Sequence, residues 1–184
     1  MGLARTRGSS TVSSSPAAIA FRWALVPFLA VTAALAVIGG PLKGPEAPHG
    51  IITLELCAFT ADCAAILRAW SASQREAAML SLGLDYLYLV LYPTVLGSAL
   101  LVVARRLPVR LHRPARVLVG LVAIAGVLDG IENYFLIRLL MTGLASPYAL
   151  PAAVCATGKF AILAGCLACL LAGLGLSFRR RGDG

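Results

Sequence analysis

Four long apolar runs dominate the chain, near Trp23 to Ile38, Leu80 to Val103, Val117 to Met141 and Leu150 to Ser177. Each approaches or exceeds the roughly 20 helical residues needed to cross a hydrocarbon core of about 30 Å. The pattern predicts an all-α membrane protein, a four-transmembrane-helix bundle forming one domain over residues 21–184. The first run is short and follows Arg5, Arg7 and Arg22, as a secretory signal would. No A-x-A-like site follows Ile38, however, and Gly39, Gly40 and Pro41 read as a helix stop, so an uncleaved span is expected.

The segments between these runs differ in kind. Residues 1–20, rich in Ser, Thr, Ala and Arg, are expected to be a disordered cytoplasmic tail. "GGPLKGPEAPHG" reads as an irregular external loop. In residues 60–79, "TADCAAILRAWSASQREAAM", Thr60 stands as N-cap and Asp62 in a first turn. Phe59, Cys63, Ile66 or Leu67, and Trp70 recur at helical spacing, while Arg68, Arg75 and Glu76 prevent the segment from spanning. An external amphipathic helix lying at the membrane interface is expected, with Trp70 at the headgroup boundary. Inside the second run, Pro93 cannot donate to the Leu89 carbonyl, which predicts a kink.

Composition supports the membrane assignment. The 184 residues are 59% hydrophobic and only 13% charged, with a mean hydropathy of +0.87, outside the range of ordinary soluble domains. The net charge of +8 does not imply nucleic acid, because the basic residues flank apolar runs instead of covering a soluble domain. Arg5, Arg7 and Arg22, then Arg105, Arg106, Arg110, Arg113 and Arg116, then Arg179, Arg180 and Arg181 place eleven of the sixteen basic residues on one side. Both termini and the middle loop are therefore expected in the cytoplasm, with the cell (inner) membrane as the surrounding partner.

One run is unusually polar. "VLDGIENYFLIRLL" places Asp129, Glu132 and Asn133 at i, i+3 and i+4, on one helical face. In the second run Asp85, Tyr88 and Tyr92 form another stripe at i, i+3 and i+7, and the fourth carries Lys159. Counting from the run ends puts all of these in the outer half of the membrane. Lipid exposure of ionisable groups costs several kcal/mol, so the stripes should face each other with Lys159 between or beside them. Asp85, Asp129 and Glu132 then outnumber the one interior cation, Lys159, because Arg138 is near enough to the surface to snorkel. Desolvation and like charge favour a protonated carboxyl among the three, which suits a site that binds a cation, binds a hydrogen-bonding ligand or carries a proton.

Two readings of the cluster compete. In the first, Asp85, Tyr88, Tyr92, Asp129, Glu132, Asn133 and Lys159 bind or handle a small amphiphilic, lipid-like molecule. In the second, the chain is a structural or accessory subunit and the polar cluster fastens its helices; Tyr88 and Tyr92 are then packing residues. A proton-coupled transporter fits less well, since no polar path continues to the cytoplasmic side. No H-E-x-x-H, P-loop or G-x-S-x-G motif assigns an enzymatic reaction or a cofactor. His49 and His112 fall in loops on opposite sides, which argues against a histidine metal site. The fourth run lacks a clear small-residue motif that would set an oligomeric state.

The cysteines suggest one more comparison. Cys57 and Cys63 in the external segment, the C-x-x-C of Cys166 and Cys169, and four helices are together similar to the layout of the vitamin K epoxide reductase family. That family's redox pair sits near the outer end of its fourth helix, whereas Cys166 and Cys169 lie about 16 to 19 residues beyond Leu150. Packing cysteines are the favoured reading there. An external Cys57–Cys63 disulfide is compatible with the sequence without being required by it. Finally, "AAILRAW", "SLGLDYLYLVLYP", "LDGIENYFLIRLL" and "CATGKFAIL", in that order, resemble an uncharacterised family of small bacterial four-helix integral membrane proteins. That resemblance implies that Asp85, Asp129, Glu132, Asn133 and Lys159 belong together, and supplies no substrate.

Overall fold

The computed structural model describes residues 15–105, 107, 109, 112–143 and 147–182, with side chains through residue 175. Residues 1–14 of the expected tail, together with Arg106, Arg110 and the side chains of Arg179 to Arg181, lie outside the described residues. Within them the order is α1 (Pro16–Gly39), the short helices α2 (Ile51–Glu55), α3 (Cys57–Thr60) and α4 (Cys63–Ala69), then the long α5 (Ala72–Ala104), α6 (His112–Thr142) and α7 (Ala149–Gly182). The protein is an all-α, multi-pass membrane protein: α1, α5, α6 and α7 are each long and apolar enough to cross a bilayer. Large apolar side chains such as Trp23, Val37 and Val127 face outward. In lipid that exposure carries no hydrophobic penalty.

The helices begin and end where local chemistry directs. Ser15 accepts from the Ala18 N–H and Pro16 occupies the first turn, so α1 starts ahead of the expected position and takes up the last five residues assigned to the tail. Gly143, at φ +67°, follows the last residue of α6 in the left-handed conformation that glycine tolerates best. α1 packs along α5, α5 along α6 and α6 along α7. α5 also touches α7, but α1 and α7 scarcely meet. A gap between them leaves one side of α5 uncovered.

The close approach of α5 and α6 centres on Gly126. A Cβ there would lie 2.9 Å from the Leu89 carbonyl oxygen and 3.2 Å from Pro93 Cγ. Pro93 has no N–H to offer that carbonyl, and the hydrogen of Gly126 lets the two backbones come together at this point.

Residues 60–79 do not form the one continuous surface helix expected of them. Thr60 closes α3 instead of capping a helix, Asp62 caps α4 by accepting from the Ala64 N–H, and α4 stops at Ala69. α5 then starts at Ala72 behind a capping box in which Ser71 and Gln74 satisfy each other's backbone N–H groups. Residues 72–79 thus extend the second span. Trp70, expected at the headgroup boundary, is 5% exposed and donates its indole N–H to the Leu42 carbonyl at 3.1 Å. Gln74 Nε2 donates to the Pro41 carbonyl at 2.7 Å, and Arg75 donates to the Leu67 carbonyl. Leu42, Leu54, Ile66 and Trp70 make a small core with Leu82, Leu136 and Leu139. A disulfide between Cys57 and Cys63 holds the turn between α3 and α4. Residues 40–71 are consequently a folded cap seated on one end of the bundle, and they insert α2 against α6 and α7.

Candidate functional site

The polar residues of three spans meet directly beneath this cap. Lys159 Nζ on α7 lies 2.8 Å from Asp129 Oδ1 and 2.8 Å from Glu132 Oε2, both on α6. Asp129, Glu132 and Lys159 are all buried. On the α5 side, Asn133 Nδ2 donates to Asp85 Oδ2 at 2.7 Å. The expected convergence of Asp85, Asp129, Glu132, Asn133 and Lys159 is therefore present.

A fourth carboxylate joins them. Glu55, at the end of α2, is 8% exposed and places Oε2 3.7 Å from Lys159 Nζ. That oxygen accepts no hydrogen bond. Burial pushes the Glu55 carboxyl above its ordinary range, an effect opposed by the nearby Lys159 ammonium. Sequence reasoning missed Glu55 because it lies outside the spans. The available signal was a lone acid set in the apolar stretch "IITLELCAF".

The tyrosines lie on the same wall. Tyr88 stacks on Phe28 of α1 with ring centroids 5.3 Å apart, and Tyr92 tilts against Tyr88 at 5.5 Å. Tyr92 is 3% exposed, and its hydroxyl has no well-formed hydrogen bond. Arg138 stands apart, with its guanidinium 5.6 Å from the centroid of Tyr148.

The cluster does not fill the space around it. A cavity of about 470 Å³ is lined by Glu55, Asp85, Asp129, Lys159, Tyr88 and Tyr92 at its polar end, and by Phe28, Ile52, Leu96, Phe160, Leu163 and Leu167 elsewhere. Its walls come from α1 and α7 on either side of α5, so the gap between those helices is its lateral opening. A second, almost wholly apolar hollow of about 540 Å³ continues past Leu96, between Leu25 on α1 and Leu170 and Leu174 on α7. The two hollows share Leu96 and between them follow α5 from Asp85 to Val103, about 27 Å at 1.5 Å per residue, with Arg22 among the residues lining the second.

Cys166 and Cys169 of α7 do not line the polar cavity. Cys166 is a free, buried thiol packed with Leu100, Val122 and Ala125, about 10 Å along α7 from Lys159. Cys169 is also free. No family model, curated protein or solved structure matches the chain.

Proposed function

We propose that the protein binds or handles a small amphiphile, whose polar end occupies the space beneath the cap and whose apolar part lies in the groove between α1 and α7. One observation carries this reading: the 470 Å³ cavity joins four ionisable side chains at one end to Phe28, Leu96, Leu163 and Leu167 at the other. Polar groups gathered at the end of an otherwise apolar recess suit a molecule of the same polarity. A side opening suits entry from lipid.

The direct contacts of Lys159 with Asp129 and Glu132 favour a second role for part of the cluster, fastening α6 to α7. The two roles divide the site. Glu132 lies behind Lys159 and outside the cavity, whereas Glu55 and Asp85 face it. In the cell (inner) membrane, the basic residues that flank the spans support cytoplasmic termini, which puts the cap and the polar end of the groove on the outer side.

The test is mass spectrometry of small molecules that copurify in nanodiscs with wild type and with Leu163→Trp. This variant fills the apolar part of the cavity and leaves every charged residue in place. A compound enriched with wild type and lost from the variant is the expected result. Identical small-molecule contents in two equally folded proteins would refute ligand handling.

A further inference from the structure

The balance of hydrogen-bond donors and acceptors around the cavity restricts what can sit in it. Among the described residues Lys159 is the one cation lining the space, and its ammonium has three protons to give. One is donated to Asp129 at 2.8 Å, and the same ammonium forms ion pairs with Glu132 at 2.8 Å and Glu55 at 3.7 Å. Its positive charge is thus shared among three carboxyl groups of the protein. Acceptors remain in excess: the buried Glu55 Oε2 has no hydrogen-bond partner, and Asp85 engages Asn133 through one oxygen only. An incoming phosphate or carboxylate would find like charge at Asp85 and Asp129 along the wall, opposed by the neutral Tyr92 hydroxyl and by a Lys159 ammonium already paired with carboxylates.

The aromatic wall adds a second preference. Phe28, Tyr88 and Tyr92 stand in a contiguous row along the same cavity as Asp85. Ring faces carry negative electrostatic potential and attract cations, most strongly where water is excluded. Carboxylates beside aromatic faces provide both the charge and the soft contact surface that an alkylammonium group requires.

We infer that the site takes a lipophilic ammonium ion, with its cationic head between the Asp85 and Asp129 carboxylates, the Glu55 carboxyl and the Phe28–Tyr88–Tyr92 wall, and its alkyl part along Leu96, Leu163 and Leu167. This inference rests on the amphiphile reading and names the class of headgroup. It separates the site from one for anionic lipids, whose phosphates would meet like charge. Binding of this kind needs no covalent step. The cation supplies the positive charge that the carboxylate surplus lacks.

The experiment uses three probes with one dodecyl chain: dodecyltrimethylammonium, dodecanol and dodecanoate. Each is titrated into nanodiscs of neutral lipid holding wild type, Asp85→Asn, Tyr88→Leu or Leu163→Trp, and bound probe is counted by native mass spectrometry. Empty nanodiscs correct for partition into lipid. Wild type should hold the ammonium probe roughly tenfold to a hundredfold more tightly than dodecanol, the range expected for losing a charge-assisted contact, and should exclude dodecanoate. Asp85→Asn and Tyr88→Leu should each shrink the preference for the cation over the alcohol. If Asp85→Asn does not fold, Tyr88→Leu carries the comparison.

Equal binding of all three probes, or tighter binding of dodecanoate, lost in Leu163→Trp, would overturn the ammonium assignment and leave the amphiphile reading standing. Wild type that holds no probe beyond the level of Leu163→Trp would overturn both.

Discussion

Lys159 Nζ on α7 lies 2.8 Å from Glu132 Oε2 on α6, and Glu132 is fully buried. The same ammonium reaches Asp129 at 2.8 Å, so a single lysine holds two carboxylates from successive turns of one helix. Replacing it by methionine keeps much of the side-chain length and strands both acids. A loss of about 3–5 kcal/mol is expected for Lys159→Met, the usual cost of breaking a buried ion pair. Adding Glu132→Gln should restore part of that loss by removing one stranded charge. Equilibrium unfolding in mixed micelles checks both steps; full wild-type stability in Lys159→Met would remove the ion cluster from the list of helix fasteners.

The contact between α5 and α6 depends on a missing side chain. At position 126 a methyl group would press on the Leu89 backbone carbonyl oxygen at 2.9 Å and on the Pro93 ring at 3.2 Å, neither of which is the far end of a flexible side chain. Gly126→Ala should therefore destabilise the bundle by about 1–3 kcal/mol, the range for overpacking, despite alanine's better helix propensity. A rise in melting temperature would show that the two helices can separate at no cost.

Glu55 makes stability depend on pH in a definite direction. Its carboxyl is raised from the ordinary value of 4.5, first by burial, and Lys159, Asp129 and Glu132 face it from α7 and α6. Below the unfolded value the group is neutral in both states and carries no penalty. As pH climbs from there through the raised folded value, the unfolded chain releases a proton that the folded chain retains, and stability is lost. Glu55→Gln cannot titrate. The melting temperature of wild type minus that of Glu55→Gln should fall as pH rises from about 4 to about 8. A constant difference over that range would mean that Glu55 titrates as it does in water.

Much of this arrangement was legible because the bilayer punishes polar side chains. Asp129, Glu132 and Asn133 share a helical face, and Asp85 and Lys159 stand in otherwise apolar runs, so their meeting followed from periodicity and the cost of lipid exposure. Glu55 lacked that signal: its burial is created by the docking of the five-residue α2 against α6 and α7, a tertiary event with no period of its own. The cap departs from its periodicity for a different reason. Hydrophobic spacing from Phe59 to Trp70 points to one helix, but S-x-x-Q at Ser71 and Gln74 is a helix-start signature and marks the break before α5. Trp70 then turns inward because Leu42 offers its indole a carbonyl partner, 28 residues earlier in the chain.

The proposed amphiphile lies between α1 and α7 with its head beneath the cap. The most direct test of that placement is photo-crosslinking in nanodiscs with an alkylammonium probe bearing a diazirine midway along its chain, followed by peptide mapping of the adducts. Adducts at Leu96, Leu163 or Leu167, suppressed by excess unlabelled probe and by Leu163→Trp, are the expected result. Adducts confined to outward-facing residues such as Trp23, Val26 and Val37, unaffected by competitor, would contradict it and leave the polar cluster as a fastener of the bundle.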